Sequence, residues 1–421
     1  MSGPVIAAEV IWLMPIKIIF INRFYAPDHS ATSQMLTDLA VALAAGGDGV
    51  QIVTSRQLYD DAAASLAPHE VSDGVDVHRV RTSAFGRGHL PGRALDYLSF
   101  YVAASAKLFR LARPGDVIVA KTDPPLVSVV AGWVARLRGA LLVNWLQDLF
   151  PEVAAKLGMA PARGIGGRLL RWLRDGSLHR AAANVVLGQR MRERVVALGV
   201  DPKKIAVIPN WADGTLLRPV ERAGNPRRAE WGLGDRFVVG YSGNLGRVHE
   251  FRTVLDAADA LRAQADIVFL FIGGGAQKAA VAAAAQERGL SNMLFRPYQP
   301  RESLGQSLSA ADAHLVTLRP ELEGLVVPSK FYGVAAVGRP TIFIGDSEGE
   351  IGSIVREAEC GVCLRPGDVA GLVSAITKLR DDSASRERMG ENARRVFDER
   401  YDKAIAVAAW RRLLESVTTA R

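Results

Sequence analysis

The chain is 421 residues long, 49% hydrophobic and 23% charged, which excludes a disordered polymer and predicts a folded soluble protein of two domains. Its formal net charge is +8, and most of the excess is N-terminal: 24 Lys+Arg face 18 Asp+Glu through Asp213, against 28 and 26 beyond it. That imbalance predicts an anionic partner for the first half; a membrane surface fits better than nucleic acid, because there is no zinc-finger, RRM or KH signature and no long Lys/Arg block.

The opening stretch, MSGPVIAAEVIWLMPIKIIFIN, is apolar but lacks a basic leading segment and is interrupted by Glu9 and Lys17, so it predicts neither a signal peptide nor a membrane span. Met14 stands just before the strand IKIIFI, and residues 1–13 read as an over-extended start. Short β-branched runs then alternate with amphipathic stretches: IKIIFI, VQIVTS, VDVHRV, DVIVA, LLVNWL, NVVLG and IAVIP predict a buried parallel sheet, separated by helical patterns such as SQMLTDLAVALAAG. This is the doubly wound α/β signature.

Two helical stretches in this half mix aromatic and basic residues. FGRGHLPGRALDYLSFYVAASAKLFRLAR combines Arg87, Arg93, Lys107, Arg110 and Arg113 with Leu90, Tyr97, Phe100, Tyr101 and Phe109. PARGIGGRLLRWLRDGSLHR sets Arg163, Arg168, Arg171, Arg174 and Arg180 around Trp172. Such faces suit peripheral attachment to anionic lipid; the plainer alternative is a pair of helices with buried aromatics and solvated charges.

After the polar stretch TLLRPVERAGNPRRAEWGLGD a second set of strands begins, FVVGYSG, DIVFLFIGGG, MLFRPY, AHLVTL and PTIFIG. The expected domains are therefore 1–213 and 214–395, with a helix over 396–421 packing back on the first. Cys360 and Cys363 form a C-x-x-C, but ECGVCLRPGD reads as a helix end, a turn and a short strand with no second ligand pair, and two cysteines fit a reducing cytoplasm.

Ligands of open α/β sheets bind at strand ends. In GYSGNLGRVHEF a strand ends in Gly243, Asn244 and Gly246, glycines let backbone N–H groups approach a phosphate, and Arg247 is placed to neutralise it; the alternative is an ordinary tight turn before a helix. FIGGGAQ repeats the pattern with Gly273 and Gly274. PSKFYGVAAVGRP opens a helix at Ser329 with Lys330, an unfavourable position for a cation unless an anion is bound. Alone, Lys330 reads as a snorkelling surface lysine; with GNLGR upstream it reads as a ligand of a diphosphate gathered by three helix N-termini, with no obligatory metal.

In order and spacing, FYAPDHSATSQMLTDLAVALAAGG, DPPLVSVVAGWVARLRGALLVNWLQDLFPE, VIPNWAD, GYSGNLG, FIGGG and PSKFYGVAAVGRP resemble the retaining nucleotide-sugar glycosyltransferases of family 4, especially the branch building bacterial exopolysaccharides and surface antigens. The resemblance implies a GT-B fold of two facing Rossmann-like domains. It implies metal-independent, hexosyl-type transfer from a nucleoside diphosphate sugar on the second domain to an acceptor on the first, with no cofactor beyond that donor substrate. Arg247 and Lys330 match the basic residues the family places on the diphosphate, where preorganised positive charge stabilises the leaving group. A lipid-linked glycan acceptor at the inner face of the cytoplasmic membrane would account for the basic helices.

The sequence also departs from the family. Of two glutamates expected eight residues apart, the second falls on Gly333 and the first on Leu325; Glu323 is two residues out of register and reads equally as a donor contact or a solvated loop acid. Asp148, in LQDLFPE, reads as an acceptor contact that assists proton removal or as a helix N-cap before Phe150-Pro151-Glu152. Asp28, His29 and Ser30 carry the letters of a hydrolase triad, but three consecutive residues do not present its geometry; a role in shaping the acceptor site is expected instead. The rival functions are a GT-B-fold sugar-nucleotide 2-epimerase and a non-catalytic partner subunit, while a Rossmann dehydrogenase lacks its G-x-G-x-x-G and acidic residue.

Overall fold

The computed structural model describes residues 16–61, 63–85, 90–159 and 164–419. The expected over-extended start at 1–13, and Arg87 and Arg163 of the basic stretches, lie outside the described residues, as does the side chain of Leu90.

The first sheet is built from β1 (Lys17–Ile21), β2 (Gly49–Ser55), β3 (His69–Ser72), β4 (Val75–Val80), β5 (Val117–Ala120), β6 (Leu141–Trp145), β7 (Ala183–Val186) and β8 (Ile205–Val207). They lie in the order β3-β4-β2-β1-β5-β6-β7-β8, and only β3 runs antiparallel to its neighbour. The second sheet holds β9 (Phe237–Ser242), β10 (Ile267–Ile272), β11 (Met293–Arg296), β12 (Ala313–Thr317), β13 (Thr341–Ile344) and β14 (Gly361–Leu364), all parallel, in the order β11-β10-β9-β12-β13-β14.

Both faces of each sheet are covered, which is why the strands read as continuous apolar runs. Along β1, Ile18 and Phe20 enter one core and Ile19 and Ile21 the other, the period-two alternation of a strand. The strand order reverses direction between β1 and β5 and again between β9 and β12, so each domain offers a ligand crevice there. Strand β3 escaped the sequence patterns because HEVS is exposed along its whole length and has no apolar face. Its pairing comes from the turn at Asp73-Gly74, whose φ values of 50° and 77° suit a two-residue hairpin.

The chain crosses between domains twice, and the crossings are tied together. Lys403 N–H donates to the Ala212 carbonyl (2.9 Å), Gly214 N–H to Asp402 (3.0 Å), and the Lys403 ammonium pairs with Asp213. Helix Ser383–Arg400 stays with the second domain through Ala393, Val396 and Phe397, so position 396 falls inside a helix and the return begins after Arg400. Helix Lys403–Thr419 packs on the first domain, with Trp410 edge-on to Trp145 at 4.8 Å.

Candidate active site

The turns leaving β9 and β10 interlock at the second crevice. Gly243 and Gly273 have φ of 125° and 135°, and a Cβ on Gly273 would stand 2.2 Å from the Gly243 carbonyl oxygen, so neither turn accommodates a side chain there. Leu245 N–H donates to Gly274 O (2.7 Å), and the Gln277 amide donates to Gly246 O (2.6 Å). Asn244 lies exposed on this turn, its carbonyl held by the Tyr241 hydroxyl at 2.9 Å.

Lys330 reaches into these turns from the other side of the crevice. Its Nζ lies 2.9 Å from His249 Nε2 and 4.8 Å from the Tyr241 ring centroid, and its Cε would be 3.7 Å from a Cβ on Gly243. His249 Nδ1 is 2.6 Å from the Thr317 carbonyl; a carbonyl only accepts, so Nδ1 carries the proton and Nε2 accepts from the lysine. Burial lowers the Lys330 pKa to about 7, and burial followed by the lysine's charge holds His249 well below its ordinary value. Among the described residues no carboxylate pairs with Lys330. Arg247 is exposed on the same loop and makes no ion pair among the described residues, and Ser329 is exposed, its hydroxyl capping nothing. His249 was missed by sequence reasoning; its only signal was its place three residues beyond Gly246.

Two expectations are corrected. Residues 243–251 form a loop rather than a helix start, and at the N-terminus of helix Arg252–Ala260 the Thr253 N–H donates to Glu250 Oε1 (3.0 Å), so a carboxylate of the chain itself already caps that helix end. Glu323 is not a solvated acid: it is buried, and Oε1 accepts from Gly324 N–H (3.2 Å) and Glu350 N–H (2.9 Å), capping helix Glu350–Glu357. Its donor-side role therefore has a structural competitor. Gly333 has no left-handed φ; a Cβ there would meet only Leu308 (3.4 Å) and Leu217 (3.8 Å).

Across the cleft, Asp148 follows β6 and bridges Val326, just ahead of Lys330, while Leu149 N–H donates to Leu325 O (2.9 Å). It does not cap helix Glu152–Lys156, which starts from Pro151. Its side chain lines a small cavity with Lys121, Thr122 and Arg174. Burial, then the nearby Asp123 carboxylate, raise its pKa to about 6. Lys121 is buried, donates to Thr32 O (2.7 Å) and lies 3.7 Å from the Trp145 ring centroid. Asp28 is a loop clamp, accepting from Ser30 N–H (2.9 Å) and Tyr59 N–H (2.5 Å), while His29 is exposed, so no triad forms.

On the outer face of the first domain, helix Leu90–Leu111 packs beside Val127–Arg138, which packs beside Gly164–Arg180. Leu98, Val102, Leu137 and Leu169 are each more than half exposed, as are Trp133 (61%) and Trp172 (68%). Phe100 is buried in the core instead, and Arg174 is buried against Glu152 (2.6 Å), so neither belongs to this surface. Among the described residues no helix is long and apolar enough to cross a membrane.

Residues 31–211 match the glycosyl transferase 4-like domain model, and residues 226–396 match that of the glycosyl transferases group 1. The chain is 30% identical to a probable glycosyltransferase, WbjE, of Pseudomonas aeruginosa, over 82% of this chain and 85% of that one. It is 28% identical to the putative colanic acid biosynthesis glycosyl transferase WcaI of Escherichia coli K12, over 86% and 91%. The fold is shared with Anabaena HepE, solved with UDP and glucose, at a TM-score of 0.73 and 16% identity, covering 95% of this chain and all of that one.

Proposed function

The chain belongs to the glycosyltransferases that join a 4-like N-terminal domain to a group 1 C-terminal domain in the GT-B fold, and from that membership we propose how its cleft works. It transfers a hexosyl group, with retention, from a nucleoside diphosphate sugar on the second domain to a lipid-linked glycan on the first, at the inner face of the cytoplasmic membrane. Colanic acid biosynthesis is the role named for WcaI, which supports a surface-glycan product, and UDP bound by HepE supports a nucleotide-sugar donor.

The observation that carries this reading is Lys330, a cation held by a neutral imidazole and an aromatic ring against glycine-walled turns, with no carboxylate among the described residues to neutralise it. A diphosphate supplies the missing charge. The backbone turns at Gly243, Asn244, Gly246, Gly273 and Gly274, with Ser329, border the donor, and Arg247 swings from its exposed loop onto a phosphate. The bond from the anomeric carbon to the phosphate oxygen breaks while the acceptor hydroxyl oxygen bonds to that carbon on the same face. Positive charge on Lys330 and Arg247 stabilises the departing diphosphate, and ionised Asp148 takes the hydroxyl proton. No resident metal enters this scheme.

A thermal-shift screen of UDP-, GDP- and dTDP-sugars tests it: one donor should raise the melting temperature by mass action, and Lys330→Ala should abolish the rise. An undiminished rise in that variant would reject the diphosphate role. Release of an epimerised sugar nucleotide without acceptor would instead favour the epimerase.

A further inference from the structure

Away from the cleft, at the outer edge of the first sheet, we infer that His69, Asp76 and His78 form a binding site for a divalent transition-metal ion such as Zn2+. His69 and His78 are directly opposite one another in the antiparallel β3–β4 pair, and Asp76, two residues before His78, projects from the same face. Their side chains have converged: His69 Nε2 lies 2.7 Å from Asp76 Oδ1, His78 Nε2 lies 3.1 Å from Asp76 Oδ2, and the rings stack at 4.9 Å. One ligating atom from each residue falls within 4.8 Å of the others.

Two imidazoles and a carboxylate are a donor set suited to zinc, copper or nickel, with room for water at a further position. Ligand atoms at about 2.1 Å from a tetrahedral ion stand roughly 3.4 Å apart, so closure asks for a contraction of at most about 1.4 Å. His69 is exposed and can supply that movement. An imidazole that carries its proton on Nδ1 presents the Nε2 lone pair to the ion. His78 Nδ1 is buried and has no hydrogen-bond partner among the described residues. Gln51 donates to Asp76 Oδ2 (2.9 Å), the outer bond that orients a ligating carboxylate. The ion would clip exposed β3 to the sheet, adding to the Asp73-Gly74 turn, the strand pairing and the Glu70–Arg79 ion pair (2.6 Å).

Chelator-treated full-length protein, titrated with Zn2+ against a chromophoric chelator and with Co2+ read by its d–d absorption, tests the site. The expected result is one ion per chain, a Zn2+-dependent rise in melting temperature, and binding weakened at least about 100-fold in His69→Ala and His78→Asn and about 10-fold in Gln51→Ala. His179→Ala, on an exposed histidine elsewhere, should bind as the parent does. His69 is exposed, so its variant keeps the fold; unchanged Zn2+ affinity in that variant, or no Co2+ band in the parent, would overturn the assignment.

Discussion

The Lys330 ammonium and the His249 imidazole stand 2.9 Å apart, and each is pushed toward its neutral form, the lysine to a pKa of about 7. Between about 7 and the ordinary 10.5 the unfolded chain holds a proton that the folded chain has released, so the free protein gains stability as pH rises across that window. A bound diphosphate restores the charge. Calorimetry of nucleoside diphosphate binding near pH 8, in buffers of different ionisation enthalpy, should therefore show uptake approaching one proton, with affinity falling as pH rises by up to about tenfold per unit. Lys330→Met should bind weakly with no proton uptake.

Asp148 carries the opposite sign. Its raised pKa of about 6 means that, between the ordinary 3.8 and 6, the folded protein holds a proton the unfolded chain has lost, so stability falls with rising pH there. Transfer should rise through an apparent pKa near 6 as the carboxylate ionises. Asp148→Asn should lower kcat about 100- to 10,000-fold and erase that acidic limb. A retained limb would assign it to another group.

Gly333 falls at the position where the family resemblance predicts a glutamate, and nothing in the backbone demands glycine there. A Cβ meets only Leu308 and Leu217 at ordinary separations. Gly333→Ala should stabilise the protein by about 0.5–1 kcal/mol in urea unfolding, because it removes flexibility from the unfolded chain inside a helix. A destabilised variant would mean that the helix cannot accept the methyl group beside Leu308.

The architecture was legible in the sequence because both sheets are buried on both faces and their strands are uninterrupted apolar runs. The glycine turns and Lys330 were legible for a different reason: glycine at a strand end and lysine at a helix start each break a local preference. Glu323 and His249 were not. An acid in a loop gives no sign that it will cap a helix beginning at Glu350, and a histidine gives no sign that a lysine 81 residues later will reach it. The exposed leucine and tryptophan residues of three separate helices became one surface only when the helices packed side by side.

Asp213 and Lys403 tie the two crossings between domains. Burial alone would raise the Asp213 pKa, but the bonds from Lys403 and Thr215 outweigh it and lower the value to about 2. The resulting stability is present above the ordinary 3.8 and is lost as pH falls from there to about 2. Asp213→Asn should cost about 1–2 kcal/mol at neutral pH, an allowance that includes solvent screening on the partly exposed Lys403 side, and almost nothing near pH 2. Equal losses at both pH values would show that packing, not charge, holds the crossing.

The outer face of the first domain predicts membrane attachment that is apolar and electrostatic at once. Trp133, Trp172, Leu137 and Leu169 are exposed together, with Arg136 and Arg168 among them, whereas soluble monomers rarely leave so many large apolar side chains in one area. A helix lying in the headgroup region would bury the indoles and leave the arginines among anionic lipids. The protein should sediment with vesicles containing phosphatidylglycerol and much less with neutral vesicles. Arg168→Ala with Arg171→Ala should weaken partitioning by about 2 kcal/mol, roughly thirtyfold, whereas Trp133→Ser with Trp172→Ser should weaken it on both vesicle types. Those serine changes lie outside the cleft, so transfer to a soluble acceptor analogue should persist while transfer to a bilayer-embedded one falls. Unchanged sedimentation with and without anionic lipid would leave the exposed face unexplained and remove the ground for a membrane-bound acceptor.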